Sequence, residues 1–122
     1  ARKKAMSVDE ANALQQIEQA LRNGSKSLTI SSFPKAIIPD MNRLFQLEEF
    51  NCLQCKSVDL FNLFNQLSKL EHLKKLSLAG GNFKILPSNI SALKHLEDLN
   101  LKDNNFKKTE EVNQSISVTT DK

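Results

Sequence analysis

Residues Leu73–Phe106 read LKKLSLAGGNFKILPSNISALKHLEDLNLKDNNF, and the segment states one pattern twice. Leu76, Leu78 and Phe83 return as Leu99, Leu101 and Phe106, all displaced by the same interval. Between the two copies, Leu86-Pro87, Ile90, Leu93 and Leu96 fill the rest of the period. A unit of this length cannot bury its own apolar side, so the pattern predicts a stack in which each unit covers the next.

The pattern extends upstream in weaker form. Leu28-Thr29-Ile30 alternates as a short strand, Ile38-Pro39 stands where Leu86-Pro87 stands later, and Met41, Leu44 and Leu47 step by three. A second unit opens at Phe50-Asn51-Cys52 and carries Leu60, Leu63, Phe64, Leu67, Leu70 and Leu73, whose spacing predicts an α-helix over 58–71. Units thus open at Leu28, Phe50, Leu76 and Leu99, the second running longest. Ahead of the first strand, Ser7-Val8-Asp9-Glu10 has capping-box spacing, Ala11, Leu14, Ile17 and Leu21 recur at helical intervals, and Asn23-Gly24 supplies a stop. A helix over 8–22 is expected, its apolar face covering the first edge of the stack. Residues 1–6 are expected to fray. After Phe106 the pattern ends, and 107–122 reads as a polar tail or a weak cap; a bare tail would leave the last strand with an open edge.

Composition narrows the class. The chain has 122 residues, 17 basic against 14 acidic, seven Phe, and neither Trp nor Tyr. One domain with one core is expected, divided into a capping helix at 1–24, repeats at 25–106 and the tail at 107–122. No apolar run reaches membrane-spanning length, so no membrane insertion is expected. The basic start ARKKAMSVDE leads into an acidic amphipathic stretch rather than a signal core. Asn23-Gly24-Ser25, Asn89-Ile90-Ser91 and Asn113-Gln114-Ser115 match the glycosylation sequon, as short matches do by chance in an Asn- and Ser-rich chain. With only Cys52 and Cys55 available, a disulfide framework is excluded and an intracellular, cytoplasmic setting is expected.

The consensus LxxLxLxxNxLxxLPxxIxxLxxL belongs to leucine-rich repeat proteins, and Leu73–Phe106 resembles it closely, with looser likeness from residue 28. The resemblance implies an α/β solenoid: a short leucine-rich repeat stack of about 3.5 repeats, with a parallel concave sheet and an N-terminal capping helix. At the position where the family places a backbone-bonding Asn, successive units hold Phe33, Cys55, Gly81 and Asn104. The approach ALRNGSKSLTIS is similar to the entry of bacterial intracellular, effector-type members. Such domains bind protein ligands on the concave strands, so the resemblance implies a protein partner there.

Side-chain alternation identifies which residues would face that partner. Four columns result: Ser27, Glu49, Lys75, Asp98; Thr29, Asn51, Ser77, Asn100; Ser31, Leu53, Ala79, Lys102; and Ser32, Gln54, Gly80, Asp103. The candidate protein-binding residues are Glu49, Asn51, Leu53, Gln54, Lys75, Ser77, Asp98, Asn100, Lys102 and Asp103. The surface is polar and holds no aromatic residue, although aromatic anchors dominate strong interfaces.

Other chemistry finds little footing. Cys52-Leu53-Gln54-Cys55 has metal or redox spacing, but both thiols fall at core positions, and His72 and His95 lie at the far end of the period. No metal or other cofactor is expected. Nucleophile–base sets, a phosphate loop and paired catalytic carboxylates are all missing, so the chain is read as non-enzymatic. Lys69, Lys74, Lys75, Lys94, Lys102, Lys107 and Lys108 are interleaved with acids and lack stacking aromatics, which argues against nucleic acid. The leading expectation is a protein–protein interaction module, of bacterial effector type where the resemblance is taken at its word. The alternatives are the targeting or autoinhibitory repeats of a larger enzyme such as a ubiquitin ligase, or a repeat fragment that self-associates through its C-terminal edge.

Overall fold

A computed structural model of the chain describes residues 6–106 and 116–120. Its centre is one five-stranded parallel sheet in strict chain order: β1 (Ser27–Ser31), β2 (Glu49–Leu53), β3 (Lys75–Ser77), β4 (Asp98–Asn100) and β5 (Ser117–Thr119). Parallel neighbours need long crossovers, and the described connections return across one face. Leu28, Ile30, Phe50, Cys52, Leu76, Leu78, Leu99 and Leu101 point to that face and are buried, together with the apolar residues of the connections. The register pairs Ser27 with Glu49, Glu49 with Lys75, and Lys75 with Asp98, as the spacing predicts.

The expected tail contributes to the sheet. Ser117 pairs with Asp98 across the shortest interval between any two paired strands, and Ile116 and Val118 pack against the core. The edge of β4 is therefore paired. Residues 107–115 of that expected tail lie outside the described residues, with Lys107, Lys108 and the Asn113 sequon, as do residues 1–5 of the expected frayed end.

α1 (Val8–Asn23) is capped as its sequence suggests: the Ser7 hydroxyl accepts from the Glu10 amide at 3.1 Å, and Gly24 is left-handed at φ 62°. The reciprocal half of the capping box is replaced, because the Glu10 carboxylate pairs with Lys35 at 2.9 Å. The buried face differs from expectation. Ala13, Ile17 and Ala20 are buried while Ala11 is exposed and Leu14 and Leu21 only half-covered. Two alanines let the helix axis approach β1 closely, and that contact turns the larger leucines to the flanks.

α2 is shorter than expected, Leu60–Leu67 rather than 58–71. Asp59 caps it by accepting from the Asn62 amide. Beyond it the Leu70 amide donates to the Leu67 carbonyl and the Leu73 amide to the Leu70 carbonyl, which are three-residue turns. Met41–Leu44–Leu47 and Pro87–Ile90–Leu93–Leu96 do the same. Apolar residues spaced by three eclipse along such turns, so each presents its side chain to the core without an α-helix. Gln66 ties α2 to the preceding connection: its amide donates to the Ile38 carbonyl at 2.6 Å, and its oxygen accepts from the Met41 amide at 3.0 Å.

Candidate protein-binding face

The sheet face opposite the connections carries the first two predicted columns as aligned rows. Glu49, Lys75 and Asp98 are register neighbours across β2, β3 and β4, and Asn51, Ser77 and Asn100 form the second row. These six residues, with Ser117 and Thr119 of β5, line an open groove of about 310 Å³. β5 thus extends the face by one strand, which the sequence pattern does not disclose because its step is short and its residues are polar.

The hydrogen bonds are local. Asn51 Nδ2 donates to Glu49 Oε2 at 2.9 Å and to Thr29 Oγ1 at 3.1 Å, bracing the two rows on β2. Asn100 Oδ1 accepts from the Lys102 amide at 3.0 Å. Ser77 is only 8% exposed, so this predicted contact residue forms the floor of the groove rather than its rim. Lys75 and Asp98 are exposed and Glu49 half-exposed. The ion pairs among the described residues, Arg22–Glu18, Lys26–Glu48 and Lys35–Glu10, include none of these three side chains.

Most of the remaining predicted positions fall beyond the strands. β3 and β4 end at Ser77 and Asn100, so Ala79 and Lys102 belong to the turns, whereas Leu53 ends β2 and is half-buried. Ser32, Gln54, Gly80 and Asp103 are all left-handed, at φ 53°, 54°, 75° and 58°. A left-handed residue breaks strand alternation, so Gln54 and Asp103 stand at the rim where the chain turns away from the sheet. Ser32 donates its amide to Leu53, Gln54 to Ala79, and Gly80 to Lys102, at 2.8, 2.9 and 2.9 Å.

Below those turns, the four positions aligned with Asn104 are filled in four ways. Asn104, 6% exposed, donates to the Leu78, Leu101 and Lys102 carbonyls and accepts from the Phe83 amide at 2.9 Å. Cys55 donates its thiol to the Leu53 carbonyl at 3.4 Å. Phe33 buries an aromatic ring. At Gly81 a Cβ would overlap the ring of Phe83, with Cζ at 2.8 Å, so Phe83 occupies the space that a side chain there would need. That ring stacks on Phe106, centroids 6.2 Å apart.

Cys52 and Cys55 are both buried. Hydrogen bonding to Cys55, and then burial, push the Cys52 thiol well above its ordinary value. A thiolate, the form needed for metal ligation or exchange, is disfavoured at Cys52, whereas hydrogen bonding to Cys52 lowers the Cys55 thiol. His72 and His95 are exposed and line a different groove with Glu71, Lys74, Lys94 and Glu97. Thiols and imidazoles therefore do not converge, and among the described residues no three metal-ligating side chains cluster. No described helix is long and apolar enough to cross a membrane. Comparison with protein-family models, with curated proteins and with solved structures gave no match.

Proposed function

We propose that the chain is a short leucine-rich repeat module, an α/β solenoid, that acts without catalysis by binding a protein partner on the outer face of its parallel sheet. The observation that carries this reading is the register. Although the units differ in length, Glu49, Lys75 and Asp98 fall into one line and Asn51, Ser77 and Asn100 into another. The inward residues of the same strands are committed to the core, which leaves the outward ones free to vary with a partner. Two buried, unpaired thiols fit a reducing, intracellular compartment.

Reversing three charges together (Glu49→Lys, Lys75→Glu, Asp98→Lys) tests the reading. All three are at least partly exposed, so the melting temperature should move by less than about 3 °C. Retention of the partner from lysate should be lost. Undiminished retention by the folded triple variant refutes the assignment of this face.

A further inference from the structure

On the reading that this face binds a protein, we infer that the partner's contact element is an α-helix laid across the strands, carrying a basic–acidic–basic triad at successive turns. Glu49, Lys75 and Asp98 set charges of alternating sign on three neighbouring strands. Neighbouring strands lie about 4.8 Å apart, which separates the two outer residues by roughly 9.6 Å. A helix presents one face every three or four residues, so positions i, i+3 and i+6 or i+7 span about 9–10.5 Å. The pitches match. An extended segment laid the same way exposes alternate residues every 6.8 Å or so, and its third charge falls about 4 Å out of step.

Two further features favour a helix. The groove holds no aromatic or bulky aliphatic side chain on its outward rows and is open rather than deep, so it offers a rail and not a socket. In its second row, the nearly buried Ser77 lies between the longer Asn51 and Asn100, a dip at the middle strand that takes a small side chain on the helix underside. None of the three charges takes part in an ion pair among the described residues, and Glu49 accepts from Asn51 within its own strand.

The test is a displayed library of alanine-rich helical peptides with Lys, Glu or Ala at positions i, i+3 and i+7, sorted against the folded protein. Lys–Glu–Lys should be enriched on the order of tenfold over Glu–Lys–Glu, the scale set by three partly exposed charge pairs. The preference should invert on the variant carrying E49K, K75E and D98K, and its central position alone should change on K75E, which guards against misfolding of the triple variant. No charge preference, or the same preference on wild type and variant, overturns the helix. If the lysate partner is nevertheless lost on the triple variant, the face stands and only the helical partner falls. If the partner is retained by it, the face itself falls.

Discussion

Gly81 offers a sharp test of the packing under the sheet, because its glycine requirement is spatial and not conformational. Gly80 is left-handed at φ 75°, whereas Gly81 is not among the positive-φ residues. A backbone that accepts an L-residue normally gains about 0.4–1 kcal/mol from Gly→Ala, through the loss of unfolded-state freedom. Here the new methyl would overlap the Phe83 ring. The ring must swing outward, forfeiting part of its burial and its stacking on Phe106. Stacking alone is worth about 0.5–1.5 kcal/mol and full burial of such a ring about 1.5–3 kcal/mol, so Gly81→Ala should destabilise by about 1–3 kcal/mol. In a Phe83→Ala background the obstacle is gone, and the same substitution should become neutral or stabilising. A double-mutant cycle by urea unfolding measures the difference, and the expected coupling is about 1–4 kcal/mol. A cost for Gly81→Ala that is the same with and without the Phe83 ring would refute this account of the turn.

Asn104→Ala removes a buried amide that serves three carbonyls and the Phe83 amide; a loss of about 2–4 kcal/mol is expected in chemical denaturation, and Asn104→Asp should not restore it, because a carboxylate cannot donate to those carbonyls. Cys52 predicts a pH dependence. Its folded thiol is held above the ordinary 9.0, so above that pH the unfolded chain releases a proton that the folded chain keeps, and stability declines as pH rises. The decline attributable to this group should vanish from the stability–pH slope of Cys52→Ala.

Inward positions were legible because burial leaves them little choice. Phe50, Leu76 and Leu99 pair in register on parallel strands with one covered face, and their spacing sets the register of Glu49, Lys75 and Asp98. Leu67, Leu70 and Leu73 misled, since a spacing of three suits both an α-helix and a run of tight turns, and only the hydrogen bonds distinguish them. Ala13 and Ala20 misled by size: patterns are read from large apolar residues, while the buried face of α1 sets these two alanines beside Ile17. The space-filling by Phe83 at Gly81 was illegible because it is a contact across the turn, not a feature of either residue. Ser77 was placed in the right row, but its depth depends on the longer neighbours on either side.

The left-handed turns show where local sequence stops deciding. Ser32, Gln54 and Asp103 hold φ values of 53°, 54° and 58° without being glycine. Left-handed backbone costs an L-residue roughly 1–2 kcal/mol. In exchange, the Ser32 and Gln54 amides each complete a hydrogen bond to the next turn of chain, and such a bond contributes about 0.5–1.5 kcal/mol. The two terms nearly cancel, so neither residue would choose this conformation alone; the adjoining turn imposes it. After each of these strands the chain therefore turns left-handed at the same register position, whatever residue stands there. On the proposed protein-binding function, that common boundary leaves a partner two aligned rows to read, beginning at Glu49 and at Asn51, with Gln54 and Asp103 at the rim, where substitution should affect binding less than reversal of Lys75.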